Sequence, residues 1–211
     1  MPRIIGLGHY SRTGKDTFAN YYIEYLRYIK PEIKVVKQSL AWKLKQINFE
    51  LYAWDGMREP EYYETPEGAL ARDIKLPTLG MTPVEVWVAF GTPAVREHVY
   101  DRTWLDYLLR SDLGYDILVI PDIRFPNEAK AVKESGGTLI KVVRPGYGPR
   151  NTVADRALLG YDGWDYVIGG EGTMQSLEDD AQWLATHHVL DTNPPPQSRT
   201  QREANLAVEK I

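Results

Sequence analysis

The chain contains no cysteine, which excludes disulfides and thiolate-held metals. It also lacks any apolar run approaching the ~20 residues that a membrane-crossing helix needs, so no membrane partner is expected. Positive charge is short: 25 Lys and Arg stand against 29 Asp and Glu, for a net charge of −4. Proteins that track a nucleic-acid polymer carry a basic balance or a basic stripe. A nucleic-acid partner is therefore not expected, and a small anion held by a few local cations fits better. The start, Met1-Pro2-Arg3-Ile4, runs straight into a strand pattern, so no signal peptide is visible and the cytoplasm is the expected compartment. No internal repeat is present. His187 and His188 lie at a helix end with no carboxylate at metal-ligand spacing, so a zinc site is not expected. The 43% of hydrophobic residues suffices for an ordinary core. At 211 residues the chain suits one α/β domain with a modest insertion, or a domain plus a tail.

The stretch that organises the rest is Gly8-His9-Tyr10-Ser11-Arg12-Thr13-Gly14-Lys15-Asp16-Thr17. It follows the apolar Ile4-Ile5-Gly6-Leu7 and precedes a helical pattern. Strand, loop ending Gly-Lys, then helix is the layout of a phosphate-binding P-loop. Successive backbone N–H groups curl round a phosphate, the helix N-terminus adds partial positive charge, and Lys15 neutralises outer oxygens. The amides of residues 10–16 and Lys15 are the expected donor-phosphate ligands. His9 stands where the motif has its first glycine, and Asp16, then Thr17, follow the lysine. A dinucleotide fingerprint opening at Gly6-Leu7-Gly8 would need a third glycine where Ser11 stands, which argues against it.

Read in order, residues 3–8 form a buried strand, and Phe18, Tyr22, Tyr25, Leu26 and Ile29 mark a helix from about Lys15 to Ile29. Ile33–Val36 is a second strand. Ser39 is read as the N-cap of a helix with Leu40, Leu44, Ile47 and Leu51 on one face. This alternation implies a parallel sheet with right-handed crossovers. Residues 55–80 have poor periodicity and read as an irregular insertion. Thr82-Pro83 starts a helix that Gly91 should end. Thr92-Pro93 starts the next, carrying Arg96, and residues 104–109 form another. Tyr115–Ile120 is a buried strand with Asp122 at its C-terminal end, where a carboxylate can organise Mg²⁺. Sheets of this kind bind ligands at the carboxyl ends of their strands, so Asp122 and Lys15 would share a crevice. Arg124 is placed to grip a phosphate by a two-pronged hydrogen bond; otherwise it pairs with Asp122 or Glu128. A helix through about Glu134, a strand over Thr138–Val143, a strand over Trp164–Ile168 and a helix over Thr173–His187 complete the pattern. Residues 144–163, rich in arginine, glycine and proline, fit a mobile lid. Residues 191–211 read as a flexible tail.

Taken together, the loop ending Gly14-Lys15-Asp16-Thr17, Gly91-Thr92 with Arg96 and Trp104, Asp122-Ile123-Arg124-Phe125-Pro126-Asn127-Glu128, and Trp164-Asp165-Tyr166-Val167-Ile168 before Gly172-Thr173 resemble the phage deoxynucleoside monophosphate kinase family. The resemblance spans residues 3 to about 188. It implies a three-layer P-loop NTPase fold over residues 1–190, with a helical acceptor-binding region over 39–114 and a lid over 144–163. It implies transfer of the ATP γ-phosphate to a dNMP, with ATP and Mg²⁺ as cofactors. In this reading Tyr10, Ser11, Arg12, Thr13, Gly14, Lys15, Asp16 and Thr17 bind the donor. Asp16, Thr17 and Asp122 organise Mg²⁺. Arg96 and Arg124 clamp the acceptor phosphate, and Arg144 serves the lid or donor side. Ser39, Asn127 and Glu128 complete the acceptor side, the latter two by ordering Arg124 or touching the nucleoside. The resemblance is compatible with a homodimer, and with the host cytoplasm if the chain is phage-encoded. Two other functions share the pattern: a kinase acting on a modified base in phage DNA, and a non-catalytic nucleotide-binding module.

Overall fold

A computed structural model describes residues 3–111, 114–149 and 153–189. The chain begins with β1 (Arg3–Gly8), α1 (Lys15–Ile29), β2 (Val35–Lys37) and α2 (Ala41–Tyr52). Short turns at Ala53–Asp55 and Tyr62–Glu64 lead to α3 (Pro66–Ala71), α4 (Pro83–Ala89), a π-helical stretch Phe90–Glu97 and α5 (Thr103–Arg110). Then come β3 (Ile117–Ile123), α6 (Pro126–Glu134), β4 (Thr138–Val142), α7 (Val153–Arg156), β5 (Tyr166–Ile168) and α8 (Met174–Val189). The described parts of Met1–Gln38 and Asp112–Ile211 form one compact unit, and Ser39–Ser111 forms another. No described helix is long and apolar enough to cross a membrane.

The first unit is built on a five-stranded sheet of order β2-β3-β1-β4-β5 whose pairs are all parallel. The central strand, β1, is buried on both faces, as a parallel strand covered by helices must be. Ile5 and Leu7 join one core with Phe18, Ala19, Tyr22 and Leu26 of α1 and Leu177, Ala181 and Leu184 of α8. Gly6 faces the opposite way. A Cβ there would lie 3.0 Å from the side chains of Ile123 and Leu139 and 3.5 Å from that of Val132 on α6. Helices thus cover both faces, giving three layers. Helix α1 carries tyrosine at 21, 22, 25 and 28, which is ordinary helix-forming material at best. Burial holds it instead: Phe18, Tyr22 and Leu26 are fully buried, each contributing about 1.5–3 kcal/mol.

The strand containing Asp122 runs further than its apolar pattern. Between β1 and β3 the register passes from Gly6 opposite Ile120 to Gly8 opposite Ile123, so two steps on β1 match three on β3. Pro121 lies in the extra stretch. Proline has no N–H for the ladder and is tolerated inside a strand at such bulges, which also re-aim the side chains beside them. Asp122 is therefore inside the strand, half-buried, and not in a turn beyond it.

The second unit corrects the sequence reading in several places. Residues 55–80 are no open insertion. Met57, Tyr63 and Leu76 are buried in a core with Leu44, Val86 and Trp87, and Tyr63 meets Trp87 edge-on at 4.9 Å. The buried Asp55 carboxylate accepts the N–H groups of Thr78 at 2.8 Å and Leu79 at 2.9 Å, which closes the segment on itself. The pattern was unreadable because turns and a helix of six residues give the apolar positions no common period. Gly91 does not end a helix, because the chain continues through it in the π-helical stretch with Pro93 inside. Its lack of a side chain serves packing: a Cβ at Gly91 would lie 2.7 Å from the Leu44 side chain. Helix α2 starts two residues after Ser39, whose hydroxyl accepts the Ala41 N–H at 3.0 Å. Thr82 and Glu85 form a reciprocal capping box at the start of α4, with Pro83 in its first turn. In the sheet unit, the strand expected at Ile33–Val36 lies at Val35–Lys37.

Candidate phosphate-binding site

The loop between β1 and α1 leaves the carboxyl end of the sheet's central strand. Three of its residues have positive φ: His9 at 105°, Arg12 at 63° and Gly14 at 99°. Glycine adopts such angles freely, whereas a side-chain-bearing residue there costs about 1–3 kcal/mol. His9 thus takes the backbone conformation that the motif's glycine would supply, and its ring must be accommodated. It stacks on Tyr10 with centroids 3.7 Å apart. Burial, with Lys141 and Lys15 nearby, pushes its pKa down to about 3, so the imidazole is neutral. Its Nδ1 is buried without a partner among the described residues. Thr13 is buried and its hydroxyl donates to the Tyr10 carbonyl at 3.1 Å, which pins the loop across its own width.

Lys15 opens α1 and is almost fully buried. Its ammonium donates to the carbonyl oxygens of His9, at 3.3 Å, and Tyr10. Burial is the main reason its pKa falls from 10.5 to about 8, and the Arg124 guanidinium adds to that; Asp16, Asp155 and Asp122 oppose it. Asp16 is exposed on the first turn of α1, 3.7 Å from the Lys37 ammonium, and Thr17 is half-buried beside it.

Arg124 reaches the same loop from the far end of β3. Its Nη1 donates to the His9 carbonyl at 3.1 Å and to Asp155 Oδ1 at 2.8 Å, and its Nη2 lies 3.5 Å from Ser11 Oγ. Two cations from separate crossovers thus converge on one carbonyl oxygen. The expected ion-pair alternatives for Arg124 were Asp122 and Glu128, and the pairing carboxylate is instead Asp155. Asp155 lies on α7, its side chain only 4% exposed, and also accepts from the Ser11 hydroxyl at 3.2 Å. Sequence reasoning left it unassigned. An acid beside arginines in a segment without periodicity carries no signal of its fold neighbours. The segment 144–163, expected as a mobile lid, is in part a short helix anchored by this buried carboxylate; its residues 150–152 lie outside the described ones.

Glu128 is buried at the start of α6, and its carboxylate accepts the backbone N–H groups of Arg124 at 2.8 Å and Phe125 at 3.0 Å. It therefore orders the Arg124 turn. Asn127 accepts the Glu128 N–H at 3.0 Å. Arg144 is exposed just beyond β4, its guanidinium 4.5 Å over the Tyr147 ring. Trp164 packs against the base of the loop, where a Cβ at Gly8 would lie 2.4 Å from its ring. Asp165 accepts the Leu139 N–H at 2.7 Å and pairs with Lys133, which ties the start of β4. Ser39 and Arg96 belong to the second unit, Arg96 half-buried in the last turn of the π-helical stretch. The tail over 191–211 lies outside the described residues.

No group of three or more His, Asp or Glu side chains among the described residues could hold a metal alone. The expected Asp16, Thr17 and Asp122 offer oxygen donors only. That chemistry suits Mg²⁺, which usually keeps waters and shares substrate phosphates, and does not need a protein cage.

No protein-family model matches the chain. A protein of Acanthamoeba polyphaga mimivirus that bears the name deoxynucleotide monophosphate kinase is 30% identical over 189 residues, covering 82% of this chain and 91% of its own. The deoxynucleotide monophosphate kinase of Enterobacteria phage T4 is 38% identical over 94 residues, covering 42% of this chain and 39% of its own. Among solved structures, cobyrinic acid a,c-diamide synthase from Mycobacterium smegmatis, with bound ATP analog and magnesium, covers 94% of this chain at 11% identity. The match covers the whole of that chain, with a TM-score of 0.40. The match to the mimivirus protein runs through most of both sequences, and on it this chain belongs to the deoxynucleotide monophosphate kinase family.

Proposed function

We propose that the chain transfers the γ-phosphoryl group of ATP to a deoxynucleoside monophosphate, giving ADP and a deoxynucleoside diphosphate. The observation that carries this reading is the convergence of Lys15 and Arg124 on the His9 carbonyl, at 3.3 and 3.1 Å. Phosphoryl transfer asks for alignment and charge neutralisation and needs no covalent intermediate. Two buried or half-buried cations at one end of an amide-lined loop supply that neutralisation where charge develops on the moving group.

Residues 10–17 wrap the donor phosphates, with Lys15 against their outer oxygens. Arg124, held at the loop, contacts the group in transit and, with Arg96, clamps the acceptor phosphate. Arg96 holds the acceptor phosphate, and Ser39–Ser111 is the acceptor-binding region. Arg144 comes with the lid segment to shield the phosphates from water. Mg²⁺, bound with ATP near Asp16, Thr17 and Asp122, would supply further charge neutralisation. Asn127 and Glu128 act on the acceptor side through the Arg124 turn.

The test is ADP release from ATP across the common dNMPs and NMPs. Wild type should respond to at least one dNMP, and Lys15→Ala should lose the response. Binding of ATP with no phosphorylation of any nucleotide would overturn the proposal.

A further inference from the structure

An arginine that stabilises a moving phosphoryl group works only if its guanidinium is held in place before the reaction. Glu128 fixes the backbone of Arg124 through two N–H groups. The tip of the side chain is fixed separately. Asp155 Oδ1 receives both Arg124 Nη1, at 2.8 Å, and Ser11 Oγ, at 3.2 Å. The same Nη1 donates to the His9 carbonyl at 3.1 Å. We propose that Asp155 is a positioning residue for phosphoryl transfer: through Arg124 and Ser11, its buried carboxylate pins the guanidinium to the carbonyl edge of the phosphate loop.

Burial makes the pin rigid. The Asp155 side chain is 4% exposed, so its pairing with Arg124 is shielded from the solvent that weakens surface ion pairs. Charge makes it necessary, because Lys15 and Arg124 repel one another and Asp155 sets a negative charge beside both. The choice of atoms makes it compatible with function. Asp155 and His9 both engage Nη1, while Nη2 meets the loop only through a long 3.5 Å contact to Ser11 Oγ, so the Nε–Nη2 edge can still turn to a phosphate in a two-pronged grip. Asp155 also lies in the segment between β4 and β5, so the short helix α7 is tied to the loop by the same contact.

The inference rests on the kinase reading and is tested by a double-mutant cycle in ADP release. Asp155→Ala should lower kcat by about tenfold to a hundredfold, with the KM for ATP little changed. Asp155→Asn, whose amide oxygen can still accept from Nη1, should retain more of the rate. In an Arg124→Ala background, Asp155→Ala should cost nothing further, because its effect runs through the guanidinium. Equal fractional losses in both backgrounds would overturn the proposal, as would a wild-type kcat in Asp155→Ala. Tighter ATP binding and faster turnover in Asp155→Ala would also overturn it, making the carboxylate a competitor of phosphate. If Asp155→Ala does not fold, Asp155→Asn in the same cycle decides. If wild type releases no ADP with any dNMP, the kinase reading fails, and the order of the Arg124 guanidinium tests the pin: NMR must show restricted rotation of its Nη groups in wild type and free rotation in Asp155→Ala, and restricted rotation in both would overturn it.

Discussion

Raising the pH should release ATP from the loop without loosening the fold. Burial, reinforced by Arg124, brings the Lys15 pKa down from 10.5 to about 8, against the opposing pull of Asp16, Asp155 and Asp122. Near neutral pH the ammonium is still mostly charged; by pH 9 only about a tenth of it is. If the charged form is the one that grips phosphate, ATP affinity should fall toward about tenfold per pH unit above pH 8. Bound phosphates also restore the pKa of Lys15, so binding near pH 8.5 should take up a proton. His9 contributes nothing in this range, because its pKa of about 3 leaves it neutral throughout. The fold responds with the opposite sign. Lys15 has a lower pKa folded than unfolded, so from about pH 8 to 10.5 the unfolded chain binds more protons. This group's contribution to stability therefore rises with pH across that window. Titration calorimetry with Mg-ATP, in buffers of different ionisation enthalpy, measures affinity and proton uptake together. An affinity that stays level from pH 7 to 9.5, with no proton uptake, would refute the reasoning.

Other substitutions test the supports of the loop. Gly8→Ala places a methyl group where the Trp164 ring already stands, 2.4 Å away, and should destabilise the fold by about 1–3 kcal/mol in chemical denaturation; an unchanged midpoint would show that the ring yields freely. His9→Ala should be less stable than His9→Gly by about 1 kcal/mol or more: both lose the stack on Tyr10, and only alanine keeps the strain at φ 105°. Equal stabilities would mean the loop relaxes. Glu128→Ala leaves the N–H groups of Arg124 and Phe125 without their acceptor, and should cost about 1–3 kcal/mol together with much of the turnover. Retained stability would show that another group takes those N–H groups.

The sheet unit was legible because its signals are short-range. An apolar run marks each buried strand, the period of Phe18, Tyr22 and Leu26 marks α1, and Gly14-Lys15 marks the turn between strand and helix. The second unit was legible only where a helix had a start signal, as at Thr82-Pro83, and not where turns build a core from Met57, Tyr63 and Leu76. The loop's backbone was half-readable. The motif marks the position of His9 as one for glycine, but only the structure shows a histidine holding that angle. Asp155 was unreadable, because its partners Arg124 and Ser11 are brought to it by β3 and the first loop and not by any spacing in the sequence.

The claim on which the account turns is that Lys15 and Arg124 act on the same phosphoryl group. The most direct measurement is the single-turnover rate of γ-phosphoryl transfer to a dNMP in Arg124→Ala, with ATP saturating. Loss of one such preorganised cation should slow transfer by about a hundredfold to a thousandfold while ATP still binds. A rate within a small factor of wild type would contradict the account, since Arg124 would then have no part in the chemistry.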